Sequence, residues 1–487
     1  MNTYYVDSKI GKDNNKGTFE EPFKTIKKFS NIAIAGDSCY IREGVYRESF
    51  KPLHSGRENF PITYQSYENE KVVLSGTKII DGNWEELDNG IYSIKLDSND
   101  FKDLGIGHNQ LFFNNEMMIE SRFPKINKAV NLHRKNHIIS SNGGIIEEKE
   151  TDKPGIVKVL AFYESEEFIQ LSEDELNNSY ISFVPGHEWW GETAKIINST
   201  PGRIEFEFSL PQHKLKFSTP ANDDPFYIWG NYNLLNSEKE WFFDSENYTL
   251  YFKPPGDIDD SILEFKQIST ILHLSDCSYL NFKNIEIFSG LVAFNPSSHH
   301  ITLDNVLSSY GSHNFGVNGW ITITPIYLHG HHNKVINSTI RYSSGPILIH
   351  GNNHVFENNV IHDIGYSSKS LSGIQDGGEA YNIKISHNTI FNCGGIGISC
   401  TFKSSDISNN HVWNVARLKT DTSAINAYNG GNLKGTNVSY NLLHHSFGYK
   451  DDIKHWGGFG IRLDGGGGDK GNSNCNQDLR KDTIYSA

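Results

Sequence analysis

The stretches ENNVIHD (357–363), SHNTIFN (386–392), SNNHVWN (408–414) and SYNLLHH (439–445) repeat one pattern, a polar pair ending in Asn followed by β-branched or apolar residues. Worked outward, the same pattern includes KNIEI, DNVLS and NSTIRY, and its members fall at Asn284, Asn305, Ser338, Asn359, Asn388, Asn410 and Asn441. The intervals are 21, 33, 21, 29, 22 and 31 residues, so a period near 21 to 22 is stretched by insertions in alternate turns. Coils of that length with several short strands predict an all-β, right-handed parallel β-helix, because each coil completes its core only by stacking on its neighbours. Leucine-rich repeats have similar periods, but the leucine framework is missing. The paired Asn at 358–359 and 409–410 read as structural, stacking in the turns between coils.

A second strand family lies between these motifs: SGLVAFN (289–295), TPIYLHG (324–330), GPILIHG (345–351), SGIQ (372–375), GIGIS (395–399), SAINAYN (423–429) and FGIRLDG (459–465). Its alternation points Ile326/Leu328, Ile347/Ile349, Ile425/Ala427 and Ile461/Leu463 inward. Stacking then predicts an outward column of Phe294, His329, His350, Gln375, Ser399, Tyr428 and Asp464, with Tyr327, Leu348, Asn426 and Arg462 beside it. Insertions at 310–323, 364–371, 415–422 and 446–458 all fall between the first family and the second. Loops that lengthen repeatedly on one side of a solenoid wall a cleft, and the polar column is its expected floor.

The chain divides into an N-terminal cap with the first coils (1–100), an inserted β-sandwich (101–265), coils carrying the cleft (266–465) and an irregular tail (466–487). The apolar spacing of Pro22 to Ala35 predicts one short capping helix, and Phe243–Asp244 to Leu250–Tyr251 a hairpin. Within the insert, His187-Glu188-Trp189-Trp190 reads as a packing contact rather than a sugar platform.

The 487 residues carry 44 basic and 58 acidic side chains, a formal charge of −14, which disfavours a nucleic-acid partner. At 12% aromatic residues the chain is not disordered. Five cysteines, in no C-x2-C pair, indicate neither zinc nor a disulfide scaffold. The opening lacks a signal-peptide pattern and no run reaches 18 apolar residues, so the expectation is a cytoplasmic protein with no membrane partner. Homo-oligomerisation is left open.

Asp464 closes a core strand and precedes four glycines that leave space above it; the competing role is a turn aspartate. Asp421 precedes the adjacent strand, one coil earlier. Adjacent strands lie about 4.8 Å apart, so the two could form the pair that glycoside cleavage needs, one as acid/base and one as nucleophile or water-activating base. His329, His350, Asn426, Tyr428 and Arg462 offer donors and an aromatic surface to a sugar. Glu379 and Asp363 are secondary carboxylates. His331-His332 and His444-His445 lack metal-ligand spacing, so no metal and no cofactor is assigned.

These segments resemble the right-handed β-helix glycoside hydrolases of families 120 and 141. The similarity lies in YYVDSKIGKDNNKGTFEEPFKTI (4–26), AGDSCYIREGVYRE (35–48), EWFFDSENYTLYFKPP (240–255), DTSAINAYN (421–429) and FGIRLDG (459–465). The resemblance implies that Asp464 is catalytic and, as in family 141, paired with an aspartate matching Asp421. Family 120 members take the acid/base from a glutamate on the next coil, and here the pattern stops after Gly468. The activities it implies are β-xylosidase, α-L-fucosidase and xylanase, hence an oligosaccharide substrate containing xylose or fucose. A polysaccharide lyase, which needs basic residues and often calcium, and a truncated, non-catalytic sugar-binding β-helix remain the rivals.

Overall fold

The computed structural model describes residues 1–101, 107–189, 191–317, 324–367, 372–378, 380–420, 422–427, 433, 435–446 and 458–463. Three long parallel sheets of ten, nine and eight strands, A, B and C, build a right-handed β-helix, and among the described residues eight coils contribute one strand to each. One complete coil is Val355–Glu357 in sheet A, Val360–Ile364 in sheet B and Ser372–Asp376 in sheet C. Sheet B holds the Asn-motif strands and sheet C the second strand family. Sheet A is a third set, with strands such as Lys334–Ile336, Lys384–Ser386 and Asp406–Ser408. Its three-residue strands carry a single inward apolar side chain between polar neighbours, too short a pattern to register as alternation.

Register explains the core. In sheet C, Ile347 lies opposite Ile374, Ile398 opposite Ile425, and Ile425 opposite Ile461. Phe356, Ile385 and Ile407 align in sheet A, and Ile340, Ile361, Ile390 and Val412 in sheet B. All the residues of these two runs are fully buried, each worth about 1.5–3 kcal/mol of apolar burial. Phe294 also points into this core at 2% exposure, so it does not belong to the outward column.

The turns between sheets A and B carry a buried amide ladder. Asn359, Asn388 and Asn410 each accept, at Oδ1, the backbone N–H of the preceding coil, at 2.9–3.0 Å. Their Nδ2 groups donate to the carbonyls of Val335, Phe356 and Ile385, each at 2.9 Å. Each of these three coil corners is thus satisfied by one side chain. Beside them Asn337, Asn358 and Asn409 adopt positive φ (52 to 57°), a conformation that Asn tolerates better than most residues.

The cap helix is Ile26–Ile32, shorter than the stretch from Pro22 because Thr25 caps it, its side chain accepting from the Lys28 N–H. Ile26 and Phe29 cover the first coil, where Phe29 meets Tyr64 edge-on at 5.1 Å.

Strands outside the helix begin at Thr77–Ile79, ahead of 101, because this strand pairs with Leu263–Lys266 and Tyr92–Lys95 pairs with Thr249–Phe252. They form an eight-stranded sheet and two smaller ones, including the hairpin of Glu240–Asp244 with Thr249–Phe252. This body lies between a sheet B strand (Val72–Ser75) and the first sheet C strand (Thr270–Leu274), the side on which the long loops also arise. It contacts them: the Thr420 N–H donates to the Glu188 carbonyl at 3.3 Å, Thr193 Oγ1 donates to the Phe315 carbonyl, and Phe315 packs on Trp229 at 5.0 Å. Glu188 is clamped by a bidentate ion pair with Arg134, and Trp189 packs on His187 and Phe217. Among the described residues no helix is long and apolar enough to cross a membrane.

Candidate functional site on sheet C

The outer face of sheet C is built from residues that alternate with its isoleucine core. Tyr327 lies opposite Leu348, Leu348 opposite Gln375, Gln375 opposite Ser399, Ser399 opposite Asn426, and Asn426 opposite Arg462. Gln375 and Ser399 therefore belong to the Tyr327–Arg462 column and not to that of His329 and His350. The short strand SGIQ has no second inward residue to fix its frame, so a one-residue shift was not visible in the alternation.

His329 and His350 stand on successive coils with ring centroids 5.0 Å apart, and Tyr327 joins them at 5.9 and 5.2 Å. The His350 ring occupies the space over Gly377, where a Cβ would come within 2.0 Å of Nε2, so a side chain there would have to displace the ring. Burial, and then the neighbouring His350, push the His329 pKa below its ordinary value. Asn426 and Arg462 form a separate group, three and four strands further along, or about 14 to 19 Å at the usual strand spacing. The structure thus divides the expected binding residues between two ends of one sheet face.

Asn426 is not an open floor residue. It is 3% exposed and Ser399 is fully buried, yet Asn426 Oδ1 and Ser399 Oγ have no hydrogen-bond partner. Thr422 Oγ1, just before the strand Ser423–Ala427, and Ser372 Oγ, at the start of Ser372–Asp376 two strands away, are unpartnered too. Buried polar atoms left without partners are rare in folded proteins and mark places where water or a ligand completes the bonding. Asp464, Asp421, Tyr428 and Glu379 lie outside the described residues. In sequence Asp464 follows the strand Phe459–Leu463 and Asp421 precedes Ser423–Ala427, and these strands pair with each other.

Two carboxylates not singled out by the sequence reading lie near this side. Asp376 ends the sheet C strand Ser372–Asp376; its Oδ2 accepts from Thr401 Oγ1 at 2.5 Å and its Oδ1 from the Gly378 N–H at 2.8 Å. A signal existed, since GIQDGG (373–378) repeats the motif of GIRLDGG (460–466) with one residue removed. Glu120 lines an enclosed pocket between the inserted body and the 313–315 loop, with Asn109, Arg122, Tyr227, Trp229, Trp241 and His313. Although the residue as a whole is partly covered, Glu120 Oε2 is enclosed and has no partner, as are Asn109 Oδ1, Trp241 Nε1 and His313 Nε2. Burial alone raises the Glu120 pKa to about 8, and burial with nearby Lys266 and His108 lowers that of His313 to about 3. Around neutral pH this pocket therefore holds a protonated acid beside a neutral imidazole.

Asp363 has a structural position on sheet B. It has a positive φ of 55°, meets His362 Nδ1 at 2.6 Å through Oδ2 and accepts from Asn392 Nδ2 at 3.2 Å. Near the N-terminal end of sheet B an open cavity of about 390 Å³ is lined by Arg47, Lys71 and Arg341. Arg47 and Lys71 are already paired with Glu264 and Glu286. Cys39, Cys277, Cys393 and Cys400 are free and buried, and burial pushes the Cys400 thiol up to about 12.

No protein-family model matches the chain. Over 82 residues, 17% of this chain and 18% of the relative, it is 44% identical to the uncharacterized protein YwoF of Bacillus subtilis (strain 168). Over 93 residues, 18% of this chain and 23% of the relative, it is 28% identical to pectate lyase PEL9 of Emericella nidulans. The chain thus spans less than a quarter of the length of these curated relatives. A solved structure described as a glycoside hydrolase superposes with a TM-score of 0.70 at 15% identity, over 96% of both chains. That likeness extends through the inserted body as well as the coils, and it establishes the architecture: a parallel β-helix.

Proposed function

We propose that this protein is a glycoside hydrolase acting on xylose- or fucose-containing oligosaccharides, with Asp464 and Asp421 as its carboxylate pair and no cofactor. The observation that carries the reading is the pair of buried, unpartnered polar atoms, Asn426 Oδ1 and Ser399 Oγ, side by side on the outer face of sheet C. A sugar hydroxyl, both donor and acceptor, is a partner for either atom, donating to Asn426 Oδ1 and accepting from the Ser399 hydroxyl. The strands on which Asp464 and Asp421 border are the same two that carry Asn426 and Arg462. The Tyr327, His329 and His350 cluster supplies an aromatic surface for a sugar further along the chain of an oligosaccharide.

In the retaining scheme that the family resemblance favours, one carboxylate attacks the anomeric carbon while the other protonates the departing glycosidic oxygen. Water, deprotonated by the second group, then releases the sugar. Buried Asn426 and partly covered Arg462 would orient hydroxyls beside the reacting carbon. Asp376, held by Thr401 and Gly378, is the alternative carboxylate should Asp421 prove dispensable.

A lyase reading draws on the short match to pectate lyase PEL9. It needs cationic charge beside the substrate carboxylate, and two of the three cations in the sheet B cavity are already neutralised by glutamates. The discriminating experiment is incubation with xylo-oligosaccharides, fucosylated oligosaccharides and polygalacturonate. A new reducing end without ultraviolet absorbance supports hydrolysis, whereas an absorbing unsaturated product with polygalacturonate supports the lyase.

A further inference from the structure

Where the chain turns from sheet C into sheet A, two successive coils each present a histidine pair, His299-His300 and His331-His332. The coils place these pairs on top of one another. His299 stacks on His331 with centroids 4.8 Å apart and planes within 3°, and His300 on His332 at 4.8 Å and 2°. Within each pair the rings stand nearly perpendicular and turn the same nitrogen toward each other. Nδ1 to Nδ1 is 3.0 Å for His299 and His300, and 2.9 Å for His331 and His332. The result is a two-by-two array of imidazoles, in which ligand nitrogens of His299, His300 and His331 all lie within 4.8 Å of one another.

The same two positions in the next coil show what the ladder uses when only structure is required. There they are Asn352 and Asn353, a self-satisfying pair in which Asn353 Nδ2 donates to Asn352 Oδ1 at 2.5 Å. The second position of each pair has positive φ (55° for His300, 56° for His332, 55° for Asn353), which Asn meets readily. Histidine in both positions of two adjacent coils adds four imidazole rings that the turn itself does not need. Among the described residues the hydrogen bonds of these four side chains run between the rings of each pair, His299 with His300 and His331 with His332. His299, His300 and His331 are partly covered and His332 is exposed, leaving the array open to solvent.

We propose that His299, His300, His331 and His332 form a binding site for a first-row divalent cation of the zinc, nickel or copper class, which ties two coils together. Two nitrogens about 2.0–2.1 Å from one ion lie about 2.9 Å apart when at right angles, as around copper or nickel, and about 3.3 Å apart around tetrahedral zinc, which needs each pair to widen by only about 0.4 Å. A small rotation of the stacked pair brings a third and fourth nitrogen into reach. Neutral imidazole suits these ions, whereas calcium and magnesium require oxygen ligands that are absent from the array. Spacing rules could not find this site, because its ligands come from coils 32 residues apart.

The test uses tag-free protein stripped with EDTA and titrated with zinc chloride by calorimetry, beside the double variant His331→Asn/His332→Asn. That variant restores the asparagines of the following coil, so folding is retained, as a melting curve without metal verifies. One equivalent of zinc bound by the native chain, weakened at least tenfold in the variant, with a zinc-dependent rise in melting temperature only in the native chain, is the expected result. A second histidine group on sheet B, with His411 Nε2 2.8 Å from His444 Nε2, provides the control His444→Gln. Zinc binding lost with His444→Gln and kept in the double variant, or no stoichiometric binding by the native chain, would overturn the proposal.

Discussion

Asn426 lies opposite Arg462 in the last pair of described sheet C strands, and its buried Oδ1 has no hydrogen-bond partner. A group kept in that state adds nothing to folding; it costs the water it gave up. Replacing it by alanine is therefore expected to leave the urea midpoint unchanged or raised, while KM for a cleaved oligosaccharide rises about tenfold, the equivalent of about 1.4 kcal/mol. Unfolding curves and steady-state kinetics on the same preparation check both halves. A large loss of stability would make Asn426 a structural residue.

The amide ladder predicts the opposite outcome. Asn388 accepts from Asn359 and donates to Phe356 O and to Asn410 Oδ1, all within a buried corner. Asn388→Ala strands these partners away from water, so unfolding free energy is expected to fall by about 2–4 kcal/mol. Urea denaturation measures it.

Glu120 predicts an unusual pH dependence. Its folded pKa, raised to about 8 by burial, exceeds its ordinary 4.5, so the folded state holds a proton that the unfolded chain releases. Its contribution to stability is complete below about pH 4.5 and is lost as pH rises toward 8, with an upper limit on the order of 3–5 kcal/mol. Glu120→Gln removes the titration. Melting temperatures of native protein and variant should therefore diverge between pH 5 and pH 8.5, with the variant more stable at the higher value.

The Arg134–Glu188 pair is buried on both sides, with side chains 10% and 1% exposed. Arg134→Ala removes the bidentate guanidinium from a buried carboxylate and is expected to cost up to about 3–5 kcal/mol. Because the Glu188 carbonyl also receives the Thr420 N–H, hydrogen exchange should quicken around Thr420. Exchange confined to the inserted body would contradict that coupling.

Much of the fold was legible because a solenoid writes its period into the chain. The corner amides Asn359, Asn388 and Asn410 can be satisfied only by stacking, and the isoleucines of sheet C alternate as half-buried strands must. Sheet A was not separately legible, since its three-residue strands carry one inward residue each, and neither was the frame of Gln375 and Ser399. The placement of His329, His350, Asn426 and Arg462 on sheet C was legible where its strands carry them. Glu120 was not, because an acid within the apolar run MMIE acquires its character only from segments such as His313, nearly two hundred residues away. The histidine array escaped for the same reason: stacking, not spacing, brings its rings together.

The assignment of Asp464 stands or falls on turnover. Native protein, Asp464→Asn, Asp421→Asn and Asp376→Asn would be assayed on nitrophenyl glycosides including β-xyloside and α-L-fucoside, with folding verified for each. The proposal predicts hydrolysis by the native protein that falls at least 10³-fold in Asp464→Asn and strongly in Asp421→Asn, with Asp376→Asn largely active. Full activity in Asp464→Asn, or loss confined to Asp376→Asn, would contradict it.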